Sequence, residues 1–467
     1  MVDRAALENA LRHTAIRGTG SAARPHDAPA AGVGAVSGRF SCNGGNCAIS
    51  RKRNRSRFVV AASVGLMLFA WVLPSRGEAL DVSLIRRGRY LAIAGDCISC
   101  HTRAEGAPFA GGLAFHTPFG TVYSPNITPD PQTGIGGWSE VEFGRALRQG
   151  IGKNGEHLYP VFPYPYFTKI SDADVSALYA FLRAIPAVKY AAPANDMTFP
   201  FGQRALLRVW KSLYFQEGRF SADEAKSTEW NRGAYLVEGL GHCSACHSPR
   251  NYLGGEKADE LMTGGVYQES LDDRPIDWSA VNLTSGKNGL QSWSLQDLTN
   301  YLKLGYSPHA SVHGPMISVV MNSTRNLTRE DDEAIATYLK ATAPNRQNDS
   351  GPPPEHLVSM GETLYSIHCG TCHLPTGLGS DSTAPPLAGS SVVLTPNPAS
   401  MINIVLRGPV LPDQPPSAEW QNRKWQSMPA FGEKLSDEEA AALLSYVRSA
   451  WSNKEGAVTV EQVAKQR

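Results

Sequence analysis

Residues 97–101 read Cys-Ile-Ser-Cys-His, and this stretch returns twice in variant form. The second copy is Cys-Ser-Ala-Cys-His at 243–247, and the third is Cys-Gly-Thr-Cys-His at 369–373. Two cysteines separated by two residues and followed by histidine form the attachment signature of a c-type haem. The thiols add to the vinyl groups of one haem, and the adjacent histidine is its proximal iron ligand. The sequence therefore predicts three covalently bound haem c groups.

A zinc site or a redox-active dithiol is the alternative interpretation of a Cys-x-x-Cys pair. Structural zinc sites usually combine two such pairs that lie close together in the sequence. Here the pairs are more than 120 residues apart, so we favour haem. The predicted attachment residues are Cys97, Cys100, Cys243, Cys246, Cys369 and Cys372, and the predicted proximal ligands are His101, His247 and His373.

Length and composition are those of an ordinary globular chain with several domains. The 467 residues suggest about three domains. The 44 basic residues nearly balance the 43 acidic ones, so the overall charge does not indicate nucleic-acid binding. The 32 prolines and 44 glycines favour long irregular loops. Six of the eight cysteines lie in the haem motifs, and the other two, Cys42 and Cys47, precede an apparent export signal.

The export signal lies unusually far from the start of the chain. Residues 51–57 are almost all basic, and residues 58–73 form an apolar run without charge. Small residues follow, and cleavage after Ala79 is expected, as in a secretory signal. An uncleaved anchor is the alternative, although sixteen apolar residues are fewer than the roughly 20 of a spanning helix. We expect residues 1–50 to be a mis-assigned start or an extended leader.

Each haem motif has repeated surroundings. A short helical stretch containing glycine precedes the motif, and a helix with a Ser/Thr-x-x-Asp/Glu capping signal or a close variant closes each unit. An aromatic stripe on the closing helix should pack on the glycine face of the first helix, which resembles the class I cytochrome c fold. The predicted fold class is mainly α, with three tandem class I cytochrome c-like domains whose long loops surround the haems. The glycines are Gly88, Gly233 and Gly361, and the predicted N-caps are Ser171, Thr328 and Ser436.

A middle helix that ends on glycine is also predicted in each unit, and loop positions recur between motif and middle helix. Asn126-Ile127-Thr128 and Asn282-Leu283-Thr284 form such a pair. The sequence predicts a leader with signal peptide at 1–79, cytochrome c domains at 80–186, 228–343 and 355–452, linkers at 187–227 and 344–354, and a C-terminal tail at 453–467.

Methionine is the usual sixth ligand of a low-spin haem that transfers electrons. Met428 lies 55 residues after His373, just before the last predicted helix. Met316 lies 69 residues after His247 and follows Gly314-Pro315. Both are predicted axial ligands. Met321 competes with Met316, but its apolar surroundings are more typical of packing.

The mature chain resembles the triheme cytochrome c subunit of membrane-bound bacterial dehydrogenases, which serve alcohol, gluconate, sorbitol and fructose dehydrogenases. The resemblance to cytochromes c also implies that the Pro385 carbonyl orients His373. The residues that carry the family resemblance are the three motifs, the loop 157–163, Gly314-Pro315-Met316, Ser427–Gly432, Trp451-Ser452-Asn453 and Val458–Arg467.

The first unit departs from that family. Its loop normally reads Tyr-Pro-Ala-Met-Pro-Tyr, whereas here Phe162 stands in place of the methionine. Phenylalanine cannot bind iron. The first haem is then five-coordinate or water-ligated, or it takes His157 as its sixth ligand, or another group such as His116 serves.

The resemblance implies an electron-transfer subunit rather than an enzyme. A partner dehydrogenase with flavin or quinone oxidises an alcohol, sugar or sugar acid, and the haems pass its electrons to membrane ubiquinone. A small exported subunit is a further expected partner. The chain shows no dinucleotide fingerprint of its own. The predicted location is the periplasmic face of the cytoplasmic membrane, with peripheral membrane contact.

Two other functions remain as alternatives. One is a different multihaem electron carrier, either a soluble shuttle or a terminal-oxidase subunit. The other is a haem enzyme that uses an open iron site in the first unit.

Overall fold

The computed structural model describes residues 81–271, 274–344, 351–409 and 425–467. The predicted export leader at 1–79 lies outside these ranges. Helices dominate the described residues, so the prediction of a mainly helical chain is confirmed. None of the described helices combines the length and apolarity needed to cross a bilayer.

The elements follow one another in the same general order in each unit. The first unit contains α1 (Val82–Ala94), α2 (Cys97–Cys100), β1 (Ala114–Thr117), β2 (Gly120–Tyr123), α3 (Glu140–Gln149), α4 (Tyr164–Phe167) and α5 (Asp172–Ala184). Between the first two units lie β3 (Asp196–Met197), which pairs with β2, and α6 (Leu206–Tyr214). The second unit contains α7 (Thr228–Tyr235), a π-helical turn (Leu236–Leu240), α8 (Ser244–His247), a 3₁₀ turn (Ala258–Glu260), the antiparallel hairpin β4 (Gly265–Leu271) and β5 (Arg274–Ala280), α9 (Leu295–Leu304), α10 (Met316–Asn322), a second 3₁₀ turn (Thr324–Asn326) and α11 (Arg329–Ala341). The third unit contains α12 (Glu355–His368), α13 (Gly370–His373), α14 (Ala399–Arg407), α15 (Asp437–Ser449) and α16 (Val460–Gln466).

The first and closing helices of each unit cross at the predicted glycine. A Cβ on Gly88 would overlap the backbone carbonyl oxygen of Ala177 in α5. Gly233 meets Ala334 in α11, and Gly361 meets Ala442 in α15, in the same way. Only a residue without a side chain allows the two backbones this close an approach. An aromatic residue four positions beyond each alanine, on the same closing helix, also packs against the glycine. These residues are Phe181, Tyr338 and Tyr446.

The predicted N-caps and middle helices are confirmed. Ser171, Thr328 and Ser436 each accept a hydrogen bond from the backbone N–H three residues on. Helices α3 and α9 both begin with a complete capping box and end at a glycine in the left-handed region. The paired loop positions are equivalent as well, because the Asn126 and Asn282 side chains accept from the N–H groups of Thr128 and Thr284.

The first two units share one hydrophobic core, whereas the third has its own. Leu91 and Leu178 of the first unit lie in the same buried cluster as Leu240 and Ile335 of the second. A separate cluster in the third unit contains Leu443. A two-unit body and a third core are therefore distinguishable within the described residues.

Two tyrosines from the first helices link the first two units reciprocally. The Tyr90 hydroxyl donates to Asp331 at 2.5 Å and accepts from the Thr328 N–H, at the start of the other unit's closing helix. The Tyr235 hydroxyl makes the same two contacts with Asp174, at 2.5 Å, and with the Ser171 N–H. Each aspartate also pairs with an arginine of its own unit. These pairs are Arg87 with Asp174 and Arg232 with Asp331.

This exchange alters the capping that the sequence predicts. In a complete capping box the carboxylate three residues on returns to the N-cap N–H, as Glu439 does for Ser436. At Ser171 and Thr328 a tyrosine of the other unit takes that N–H instead. Although burial opposes ionisation of Asp331, hydrogen bonds from Arg232 and Tyr90 hold its pKa below the usual value. The carboxylates are thus redirected into the contact between the units.

The hairpin and the helix within the C-terminal tail are features that were not predicted from the sequence. The hairpin is not anticipated, because an isolated strand pair is marginal and depends on tertiary contacts. Strand β5 gains such contacts from the third unit, where Ser279 and Ser400 exchange hydrogen bonds and Asn403 donates to the Asp277 carbonyl. The tail is not a loose extension, since its α16 buries Val463 completely.

The glycine crossing yields the first prediction. Gly361→Ala should destabilise the third unit by about 1–3 kcal/mol or more, because the added methyl group overpacks α12 against α15. Alanine otherwise favours a helix over glycine, so a loss would have the opposite sign to helix propensity. Thermal unfolding measures the change. Gly218→Ala is the control, because open space surrounds that position; equal effects at both sites would contradict the crossing.

The tyrosine exchange between the first two units yields the second prediction. Tyr235→Phe should cost about 1–3 kcal/mol of the free energy of unfolding, because it leaves the Ser171 N–H and the Asp174 carboxylate without this partner. Denaturant titration of the full chain measures the loss. Tyr252→Phe, at a fully exposed side chain, should leave stability unchanged. A Tyr235 variant as stable as the parent would refute the proposed role of the exchange.

Candidate haem sites

Each Cys-x-x-Cys-His motif folds into a single helical turn. The histidine N–H donates to the carbonyl of the first cysteine, at 3.0 Å for His101, 3.0 Å for His247 and 2.9 Å for His373. Residues at positions i, i+3 and i+4 of a helix lie on one face. The turn therefore brings both thiols and the imidazole of each motif to the same side.

A backbone carbonyl fixes each motif histidine. The Nδ1 atoms of His101, His247 and His373 lie 2.8, 2.7 and 2.9 Å from the carbonyl oxygens of Pro125, Val281 and Pro385. A carbonyl only accepts, so Nδ1 carries the hydrogen and Nε2 keeps its lone pair for a metal. Burial lowers the pKa of all three imidazoles, which favours the neutral form that binds iron. The contact expected between Pro385 and His373 is confirmed.

The cysteine environment does not suit a redox-active dithiol. Burial raises the pKa of the Cys97 and Cys243 thiols to about 12 and that of Cys369 to about 11. Reactive thiols require the opposite shift. The six motif cysteines form no disulfide, and the described ranges contain no cluster of three or more Cys, His, Asp or Glu side chains able to hold a metal ion.

The third motif opens into a cleft that fits a haem. The cleft brings Cys369, His373 and Met428 together and is open to solvent on one side. An imidazole and a thioether, which can serve as the two axial ligands of one haem iron, thus line the same cleft. The rest of the wall is mostly apolar, as a large hydrophobic macrocycle requires. It includes Pro386, Leu387, Met401, Val405, Leu444 and Val447.

Met316 is held by its loop in the second unit. It begins α10 and is half-buried against the shared core. Gly314 adopts φ 52°, and the Trp278 ring lies where a side chain on that glycine would be. The rival Met321 has its Sδ 3.5 Å from Nη1 of Arg325. Met316 therefore stays the predicted sixth ligand of the second site.

The first unit offers no methionine in the equivalent loop. Phe162 packs against the shared core, with its ring 5.7 Å from that of Phe167. His157 faces the linker helix α6, where its Nε2 accepts from Arg208 at 3.1 Å. Burial, followed by the charges of Lys211 and Arg208, lowers the pKa of this imidazole. The third candidate, His116, lies on β1 with its Nδ1 3.1 Å from the Thr121 hydroxyl across the hairpin.

The second motif lies close to the first. Burial raises the pKa of Cys100 to about 12, and the nearby thiols of Cys97 and Cys246 add to the shift. Tyr267 on β4 interacts with both Cys246 and Cys100, which add to the effect of burial in raising its pKa. Both attachment sites therefore lie within electrostatic range of this tyrosine.

The second unit also reaches the third site. His309 and His313, from the loop that leads to Met316, line the cleft around His373. His313 also lies beside Trp278, at 6.1 Å between ring centroids. Tyr267, His309, His313 and Trp278 are not among the residues predicted from the sequence. No local pattern marks them, because their roles arise only from contacts between units.

Comparison with protein families supports haem binding in the first and third units. Residues 85–186 match the family Cytochrome c. Residues 357–447 match the family described as Cytochrome C oxidase, cbb3-type, subunit III. Cytochrome c domains are therefore present, which implies covalently bound haem c.

Curated relatives match most of the chain. The cytochrome c subunit of alcohol dehydrogenase (quinone) from Gluconobacter oxydans is 38% identical, over 87% of this chain and 87% of the relative. The cytochrome c subunit of gluconate 2-dehydrogenase from Pantoea cypripedii is 37% identical, over 88% and 94%. A nicotinate dehydrogenase subunit from Pseudomonas putida is 41% identical over 85% of this chain, which spans only 34% of that longer protein. This chain belongs to the family of dehydrogenase cytochrome c subunits.

Proposed function

We propose that this chain carries three covalently bound haem c groups and relays electrons from a partner dehydrogenase to ubiquinone. Three motifs that share one local geometry support the haem number. Haem iron supplies reversible one-electron exchange when it is bound. The chain itself contributes attachment, axial ligands and an apolar enclosure, and the oxidation of substrate takes place on the partner.

The proposed attachment residues and ligands are those of the sequence analysis. Cys97 and Cys100, Cys243 and Cys246, and Cys369 and Cys372 hold the three haems, with His101, His247 and His373 as proximal ligands. Met316 and Met428 are the proposed sixth ligands of the second and third sites. The shared cleft of Cys369, His373 and Met428 is the single observation that carries the haem assignment furthest.

The proposed architecture is three tandem class I cytochrome c-like domains at 80–186, 228–343 and 355–452. The repeated crossing at Gly88, Gly233 and Gly361 supports it. The family matches at 85–186 and 357–447 fall within the first and third of these domains.

The contacts between units support a linear order of haems. The second motif adjoins the first through Cys246 and Cys100, and the second unit's loop enters the third cleft. We therefore place the second haem between the other two. Electrons then cross the chain without leaving the protein.

The partners are proposed from the relatives. Two of these relatives are named as cytochrome c subunits of an alcohol dehydrogenase and a gluconate dehydrogenase, and the name of the alcohol dehydrogenase specifies a quinone. By this likeness, the chain associates with a catalytic dehydrogenase subunit and a small exported subunit at the periplasmic face of the membrane. Ubiquinone is the proposed acceptor, and membrane contact is peripheral.

An oxidase subunit is the second candidate, which the family match at 357–447 favours. Purification of the native complex distinguishes the two functions. Copurification with a dehydrogenase, together with reduction of a soluble ubiquinone analogue when dehydrogenase substrate is added, is expected. Copurification with an oxygen-reducing oxidase, with no quinone reduction, would contradict the dehydrogenase assignment.

Haem attachment yields the third prediction. The paired change Cys369→Ala and Cys372→Ala should remove one haem and leave two, because both thioether bonds of that site are lost. Mass spectrometry of the intact exported chain measures the haem number. Thr371→Ala, at an exposed position inside the same motif, should retain all three. A parent chain with fewer than three haems would refute the assignment.

The axial methionine yields the fourth prediction. Met428→Leu should lower the potential of one haem, because a thioether ligand raises it. A change on the order of 100 mV is a modest part of the roughly 0.8 V that axial ligands span. Redox titration followed in the visible spectrum measures it. Met360→Leu, at an exposed side chain in α12, is the control; identical titrations of all three proteins would exclude Met428 as a ligand.

A further inference from the structure

Backbone hydrogen bonds align the first and second units in the loop that follows the middle helix of each. Helix α3 ends at Gly150 and α9 ends at Gly305, both in the left-handed region. After a short turn, the Leu158 N–H donates to the Gly150 carbonyl at 2.8 Å. The Val312 N–H donates to the Gly305 carbonyl at 2.9 Å. Leu158 and Val312 are therefore equivalent.

This register places Phe162 at the position of Met316. Each lies four residues beyond the equivalent pair Leu158 and Val312. Both side chains are half-buried and pack against the same shared core. The equivalence thus follows from this chain alone, in which one unit has a thioether and the other a benzene ring.

The same register directs His157 away from the first haem site. Its equivalent is Ser311, which lines the cleft of the third motif. His157 likewise faces a neighbouring element, because its Nε2 accepts from Arg208 of α6 and its carbonyl accepts from Arg204. Its Nδ1 has no hydrogen-bond partner among the described residues, so a variant at this histidine is needed to test it as a ligand.

The nearby methionines have other positions. Met262 is the equivalent of Phe109, because their carbonyls accept from the paired loop residues Leu283 and Ile127. Both adopt a left-handed backbone, φ 61° and 63°, on the loop that follows the motif of their own unit. Met197 packs in a separate cluster with Val122. Among the described residues, the register therefore places neither Met262 nor Met197 at the position that Met316 occupies in the second unit.

We propose that the first haem site is open on its distal side and binds a small uncharged diatomic ligand against Phe162, whereas Met316 and Met428 close the other two. This inference rests on the proposed haem at Cys97–His101. The aromatic wall offers no donor to iron and no hydrogen bond to a charged ligand. It therefore favours neutral ligands over anions, whose transfer to an apolar site is costly.

The experiment uses the full exported chain with its haem number established by mass spectrometry, and carbon monoxide as the probe. The ferrous protein should contain one high-spin haem of three and should bind one carbon monoxide per chain, measured by visible and magnetic circular dichroism spectra. Phe162→Met should make that haem low-spin and abolish binding. Phe167→Met, a matched change in the neighbouring ring, should retain binding.

His157→Ala tests the remaining rival and should leave both spectra unchanged. If this variant creates the high-spin haem, His157 is the sixth ligand and the inference is wrong. A parent with three low-spin haems, or a high-spin haem that takes up no carbon monoxide, would also overturn it while leaving haem attachment intact. A chain with haem missing only at the first motif would instead refute the proposed cofactor number, and with it this inference.

Discussion

The contact on which each unit depends is the backbone of one glycine against a carbonyl of the crossing helix. At Gly88, Gly233 and Gly361 no side chain can be added without moving the partner helix. The helical backbone continues past the crossing, and the haem motif begins eight to ten residues after each glycine. The second unit has one residue more than the first in this interval and forms a π-helical turn there. A π-turn accommodates an inserted residue without breaking the helix, so the motif keeps its place beneath the crossing.

Features that depend on residues close in sequence could be predicted. The features that were missed depend on contacts between units. The motif turns, the N-caps and the glycine at each crossing are set by residues close in sequence, so their patterns are visible without a structure. Tyr90 looks like part of an ordinary core stripe, because its partner Asp331 lies 241 residues away. The capping signal at Thr328 was correct for the N-cap, but the sequence could not show that a tyrosine would displace the returning carboxylate. The hairpin that contacts the third unit was not predicted for the same reason.

The third unit lacks the tyrosine exchange that links the first two, and it shows what that exchange contributes. Two residues beyond the crossing glycine, the first two units have Tyr90 and Tyr235, and the third has Thr363. Its closing helix accordingly keeps a complete capping box, and its core remains separate. It attaches through strand β5 instead, where Asp277 and Ser279 meet α14 and α16. At this position the two units that share a core have a tyrosine, and the unit with a separate core has a threonine, whose side chain is too short to make the same exchange.

The position of the second unit also decides what the loss of a methionine in the first can affect. The contacts that lead to the third cleft come from the loop of His309 and His313, and none of these residues belongs to the first unit. Phe162 belongs to the first unit and packs against the shared core. A changed ligand there alters the potential of a terminal member of the proposed series and leaves the path between the second and third haems unaltered. The first site is thus a terminal position of the proposed relay, where an iron face can open to a ligand without interrupting the remaining pair.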